Sequence, residues 1–171
     1  MRTATTLTLV VALLCPAIAR AEYTRVELKI FGMDCATCAH GVRVAVQKVE
    51  GVESVELSLE RAQADIRLLP GNRVTLDRFR KIVKGNGFEP KEAVVSATGT
   101  VRDNGGRLMF DVSGVGATLV VAADKTAPGI LKSLKIALEA KPPTPLDITG
   151  SVSVSKDGVE TITVTSAKTR P

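Results

Sequence analysis

Between residues 24 and 94 the hydrophobic period switches back and forth between 2 and 3.6 residues, and that succession constrains the fold more than any other property of the chain. Residues 24–31 alternate strictly, with Val26, Leu28 and Ile30 on one face and Arg25, Glu27 and Lys29 on the other, the pattern of a half-buried strand. After the loop from Gly32 to Cys38, Val42, Ala45, Val46 and Val49 recur at helical spacing, and Gly51 stands where a helix would stop. Val55, Leu57 and Leu59 alternate with charged or polar neighbours, and so do Ala64, Ile66 and Leu68; the two runs predict a hairpin across Arg61 and Ala62. A second helix is predicted over about 76–84, with Leu76, Phe79, Ile82 and Val83 inward. Thr75 is its expected N-cap, and Val74 and Phe79 have the spacing of a hydrophobic staple. Gly85-Asn86-Gly87 ends it, and a strand over about 88–94 completes the order β-α-β-β-α-β. That order specifies a ferredoxin-like arrangement, two helices on one face of a four-stranded sheet.

From Ser96 onward short strands alternate with glycine-bearing turns, over about 97–102, 107–113, 118–122, 146–155 and 160–165. A helix carrying Ile130, Leu131, Leu134 and Leu138 falls between the third and fourth, and Pro142, Pro143 and Pro145 close it. Three strands, a helix and two strands is the order of a small Greek-key barrel. This half resembles an OB-fold, also in its segments Thr98-Gly99-Thr100-Val101 and Thr149-Gly150-Ser151-Val152. The expected fold class is therefore α+β: a signal segment at 1–21, a ferredoxin-like domain at 22–94 and an OB-like β-barrel domain at 95–171.

The first 21 residues read as a secretory signal. Arg2 supplies a positive start, Leu7–Leu14 a short apolar run, and Ala17-Ile18-Ala19 and Ala19-Arg20-Ala21 small-x-small cleavage sites. Pro16 and Arg20 end the run well short of the roughly 20 apolar residues that a membrane span needs, and no later segment is apolar enough. Cys15 precedes the expected cut, and the large Leu14 before it disfavours a lipid anchor. Cleavage also removes Arg2 and Arg20, leaving 21 basic against 18 acidic residues and no Lys/Arg run that would suggest a polyanionic partner. Export predicts a periplasmic location and an oxidising compartment, where an idle Cys pair tends to form a disulfide.

What chemistry remains rests on few residues, because the full chain has three Cys and one His. Cys35 and Cys38 bracket two residues between the first strand and the first helix. That spacing turns both sulfurs toward one point, and unpaired N–H groups at a helix start lower thiol pKa values. Thiolates are soft donors, suited to Cu(I), Hg(II), Cd(II) or Zn(II) rather than Mg(II) or Ca(II).

The string Gly32-Met33-Asp34-Cys35-Ala36-Thr37-Cys38-Ala39, placed in a βαββαβ unit, resembles the heavy-metal-associated domain family. Its members include copper chaperones, the periplasmic mercury-binding protein of resistance systems and N-terminal modules of metal-pumping P-type ATPases. The family's Gly-Met-x-Cys-x-x-Cys motif is matched by Gly32, Met33, Cys35 and Cys38, and Gly87-Phe88 resembles the Gly-aromatic pair near its metal loop. The resemblance covers residues 24–93 and implies that Cys35 and Cys38 are metal ligands, with Met33 packed inward as support. It also bears on the ion. Copper-handling members often carry Thr at the place of Asp34, whereas Met-Asp-Cys resembles modules of zinc, cadmium and lead pumps.

Asp34 is accordingly a candidate third metal ligand, since a carboxylate adds a harder donor that suits a divalent ion; the other reading is a residue that caps the loop or faces water. His40 is either a further ligand or an exposed helical residue, and a position two past Cys38 points away from the loop. Arg80, Lys81 and Lys84 form either a solvated helix face or a docking patch. The second half has no Cys or His, and Met109 alternates beside Phe110 as packing residues do. With 3% aromatic residues in the whole chain, stacking of nucleic-acid bases on this half is not expected. Its expected role is contact with a protein partner or support of the metal module. The functional expectation is a non-enzymatic carrier of Zn, Cd, Hg or Cu, with a membrane metal transporter or another metal-binding protein as partner. The alternative is a CxxC thiol–disulfide redox protein, although the 70-residue unit lacks the proline loop that thioredoxin-like folds set against the sulfurs.

Overall fold

The computed structural model describes residues 22–112 and 114–170; the signal segment and Cys15 lie outside the described residues. The first unit is built from β1 (Tyr23–Phe31), α1 (Ala36–Gln47), β2 (Val52–Ser58), β3 (Gln63–Leu68) and α2 (Leu76–Gly85), followed by β4 (Glu89–Asn104). The expected β-α-β-β-α-β order is present, and its sheet runs β2-β3-β1-β4. Val26, Leu28 and Ile30 of β1 are buried with Val42 and Val46 of α1 and with Phe79 and Val83 of α2, which shows the two helical stripes covering one sheet face. The hairpin forms with Ser58 opposite Gln63, and Ala62 takes φ of 46° in the turn. Thr75 caps α2 by accepting from the Arg78 N–H at 3.3 Å, and Val74 and Phe79 are both buried as a staple requires.

Beyond β4 come β5 (Arg107–Val112), β6 (Ala117–Val121), α3 (Pro128–Glu139), β7 (Leu146–Val154) and β8 (Glu160–Thr169). β4 pairs with β5, β5 with β6, β6 with β8, β8 with β7, and β7 returns to β4, so the five strands form a closed circuit of hydrogen-bonded pairs. Only the β6–β8 pairing is parallel in this circuit. Phe110, Leu119, Ile148, Val152 and Ile162 are buried in this half, together with Leu134 and Ala137 of α3.

One expectation is corrected here. Separate strands at 88–94 and 97–102 are replaced by the single 16-residue β4, and the expected boundary at 94/95 falls inside it. The reason lies in its neighbours: β4 pairs with β1 from Glu89 to Ala97 and with β7 from Ala93 to Gly99, then with β5 from Thr100 to Asn104. Residues 93–97 are thereby sandwiched between a strand of each unit. Ser96, read as the start of a new half, meets Thr149 Oγ1 at 3.1 Å, and Thr98 donates to Asp147 at 2.6 Å. A second tie joins α2 to β8, where Arg80 pairs with Glu160 at 2.5 Å with both side chains largely covered. Arg80 thus leaves the solvated cluster expected for it, while Lys81 stays exposed and pairs with Asp77 one turn earlier.

The glycines of the two Gly-bearing segments permit close strand crossings. A Cβ on Gly99 would lie 2.7 Å from Phe110 Cζ and closer still to the Asp111 carbonyl oxygen, and one on Gly150 would lie 2.6 Å from the Thr163 oxygen. Backbone cannot yield as a side-chain tip can, so Gly99→Ala should destabilise the protein by about 2–3 kcal/mol in denaturant unfolding. Gly129→Ala in α3, where nothing lies within 4 Å, should be neutral or stabilising by up to about 1 kcal/mol. Equal effects of the two variants would contradict the close-crossing account. The Tyr23 hydroxyl is buried without a hydrogen-bond partner, and burial first, then the nearby Glu160 charge, push its pKa well up. Tyr23→Phe removes an unsatisfied polar atom at little change of shape, so unfolding should show a stability change between zero and a gain of about 1 kcal/mol.

Candidate metal-binding loop

The loop is held between β1 and α1 by three local devices. Gly32 turns the chain out of β1 at φ of 85°, a conformation that costs a residue with a Cβ. Met33 follows and is 2% exposed, so its side chain anchors the loop in the core beneath the site. Cys35 then serves as the N-cap of α1, its backbone extended and its Sγ accepting from the Cys38 N–H at 3.1 Å. An oxygen-bearing residue usually holds an N-cap; here sulfur satisfies one of the free donors of the first turn. α1 has no acidic residue in that turn, so the positive end of its dipole is left to the sulfurs.

Cys35 and Cys38 are partly exposed and joined to each other in a disulfide, with Cα atoms 5.3 Å apart. In this state the pair has no thiolate to offer a metal. Two electrons and two protons convert it to two thiols, and the helix start then favours their deprotonated form. The structure therefore brings the two predicted ligand residues together. Asp34 is exposed beside Cys35 in the sequence, and His40 is exposed on α1. Among the described residues, no three His, Cys, Asp or Glu side chains are grouped to hold a metal ion. Met33 is placed as support, as expected from the resemblance.

Around the loop, Phe88 lies half-buried next to Gly32: a Cβ on that glycine would come within 3.9 Å of the Phe88 ring. Phe31, immediately before the loop, is 66% exposed, and the Lys91 ammonium sits 5.3 Å from its ring centroid. This exposed aromatic was not singled out from the sequence. The signal was available, because strict alternation puts Phe31 on the same outward face as Arg25, Glu27 and Lys29.

Comparison with known proteins bears on this unit alone. Residues 27–89 match the family described as heavy-metal-associated domain. The copper chaperone CopZ of Staphylococcus haemolyticus (strain JCSC1435) is 28% identical over 64 residues, which are 37% of this chain and 93% of the chaperone. The protein of the same name from Staphylococcus saprophyticus subsp. saprophyticus is 25% identical over the same shares. Among solved structures, oxidized MerP from Ralstonia metallidurans CH34 is 28% identical, covering 40% of this chain and 93% of that one, with a TM-score of 0.37. A copper-binding domain of a P-type ATPase is likewise 28% identical, covering 40% and 90%, with a TM-score of 0.37.

Met33 as anchor and not ligand has a measurable consequence. Met33→Ala should cost about 2–4 kcal/mol in unfolding while the reduced protein keeps its metal stoichiometry; loss of metal at unchanged stability would make Met33 a ligand. The local fold, the paired cysteines and the family match concern one segment: residues 27–89 of this chain match the heavy-metal-associated domain family.

Proposed function

We propose that the chain is an exported, non-enzymatic heavy-metal carrier that binds a soft ion on Cys35 and Cys38 and passes it on by ligand exchange. The observation that carries this reading is the cysteine pair itself, partly exposed at the start of α1 on a loop anchored by Met33. Loading begins with reduction: a donor dithiol gives two electrons and two protons to the Cys35–Cys38 bond and is itself left as a disulfide. The thiols lose their protons as each sulfur binds the ion. In transfer, an incoming thiolate forms its bond to the metal as one bond from Cys35 or Cys38 breaks, so no electron changes hands. A shallow, exposed pair suits such stepwise exchange.

Asp34, exposed one residue before Cys35, adds negative charge and an oxygen donor beside the sulfurs, which favours Zn(II) or Cd(II) over Cu(I) and Hg(II). Its role is that of a third donor to a divalent ion. The signal-like segment 1–21 supports a periplasmic setting, and a membrane metal transporter or a second metal-binding protein is the partner class. No helix among the described residues is long and apolar enough to cross a membrane. For the second half, the circuit β4-β5-β6-β8-β7, with α3 between β6 and β7 along the chain, supports the OB-like barrel reading. Its single aromatic, Phe110, is buried, which argues against a nucleic-acid partner. The disulfide favours one second reading, a thiol–disulfide redox protein.

A single preparation separates them. Protein reduced and purified without oxygen should bind about one soft ion per chain, read by native mass spectrometry in competition among Cu(I), Zn(II), Cd(II) and Hg(II). Cys35→Ser should abolish tight binding, and Asp34→Ala should weaken Zn(II) and Cd(II) about tenfold or more while sparing Cu(I) and Hg(II). Catalytic turnover of disulfide substrates with no metal bound would reject the carrier reading in favour of the redox one. Unchanged Zn(II) and Cd(II) affinity in Asp34→Ala would remove that carboxylate from the site.

A further inference from the structure

β1 is antiparallel to β4, and β4 is antiparallel to β7, so β1 and β7 run in the same direction and finish at the same end of the sheet. β1 finishes at Phe31 and enters the cysteine loop; β7 finishes at Val154 and enters the turn that leads to β8 at Glu160. Two strand spacings, about 10 Å, separate them. The second unit therefore presents its β7–β8 turn beside the cysteine loop of the first.

The surface between these two features is continuous. Lys91, whose ammonium lies over Phe31, also lines a groove of about 890 Å³ between the units. Lys84 of α2, Val154 at the end of β7 and Val159 of the β7–β8 turn also line it. Phe31, Val154 and Val159 are large apolar side chains left 66%, 44% and 47% exposed. Among the charged groups, Arg80 is engaged by Glu160, Lys81 by Asp77 and Lys91 by Glu89, while the exposed Lys84, Lys156, Glu92 and Asp157 have no ion pair among the described residues. The patch is thus apolar with free charges of both signs at its edge, and it begins at the cysteine loop.

We propose that this composite patch, built from both units, docks the protein that exchanges metal with Cys35 and Cys38, and that this partner presents its own cysteine pair within an apolar surface. The inference rests on the carrier reading above, for a specific geometric reason. Ligand exchange requires the partner's sulfurs to reach the loop, and an interface of ordinary size covers roughly 800 Å² on each partner, a patch about 30 Å across. A partner centred on the loop overlies Phe31 and, when it approaches from the groove side, Val154 and Val159. The exposed valines gain by burial there, and the mixed charges at the edge stay at the solvated rim.

The test uses the full mature chain with a photo-crosslinking residue at Val159 and, as control, at Leu59, which is exposed in the β2–β3 turn of the first unit. Crosslinking is done in the host periplasm and the captured protein is purified. The expected result is capture, from position 159 and not 59, of a protein bearing a cysteine pair. Metal transfer to that protein from Val159→Asp carrier should then be at least tenfold slower than from the parent, with transfer to a small dithiol chelator unchanged. Capture of nothing, of a second copy of this chain, or of a protein whose metal uptake is indifferent to Val159→Asp would overturn the docking proposal. Should the reduced parent chain bind no metal at all, the carrier reading falls first, and the chelator control reveals that independently of docking.

Discussion

The arrangement of every other element depends on the double pairing of β4. Backbone groups of residues 93–97 meet β1 on one side and β7 on the other, so this stretch can shift relative to neither without breaking two ladders. A slip of one residue would also turn Ala93, Val95 and Ala97, all buried, to the opposite face. The constraint continues along the strand, where Gly99 lets Phe110 and the Asp111 carbonyl approach the backbone and Thr98 donates to Asp147. A linker between two domains would leave their relation free. A shared strand instead writes the position of the second unit into the hydrogen bonds of the first, and the Arg80–Glu160 pair fastens the helical layer to the same unit.

The cysteine loop reconciles two demands that oppose each other. Exchange of a metal between proteins needs sulfurs that another chain can reach, which argues for exposure. Selective binding needs those sulfurs held at a fixed spacing, which argues for rigidity. Here the two demands are met by different residues. Gly32 and Met33 fix one end of the loop, the first by its backbone conformation and the second by burial, while α1 fixes the other through the Cys38 N–H to Cys35 Sγ contact. Cys35 and Cys38 themselves remain partly exposed. The same exposure makes them open to oxidation, so the disulfide and the dithiol that the proposed carrier needs are alternative states of one pair of atoms.

Much of the first unit was legible in the sequence because its signals are local. Alternation in β1, helical spacing in α1 and the Thr75 cap of α2 each involve residues within a few positions of one another, and each is present as read. The closeness of Cys35 and Cys38 was legible for the same reason. The continuity of β4 was not read, although its evidence is local too: Ala93, Val95, Ala97, Gly99 and Val101 keep a period of 2 straight through Ser96. The small polar and glycine residues in that run looked like a turn, when they are small because strands cross closely there. Other features could not be read at all. Arg80 and Glu160 are 80 residues apart, and no pattern along the chain tells that the helix cation is spent on a strand in the other half. The β4–β7 pairing that closes the circuit belongs to the same class.

These two kinds of information combine at the end of the sheet where β1 and β7 both finish. Had the metal module hung on a flexible tether, the second unit would sample many orientations around the loop, and any partner contact spanning both would have to pay the entropy of ordering them. With β4 continuous, that ordering is complete before a partner arrives. Phe31, Lys91, Val154 and Val159 then act as one preformed surface although they come from β1, β4, the end of β7 and the β7–β8 turn. Such pre-organisation favours a partner whose shape matches the composite surface over one that recognises the cysteine loop alone, because only the former gains from contacts already in place. The second unit, which has no cysteine or histidine of its own, can in this way select who exchanges metal at a site it does not touch.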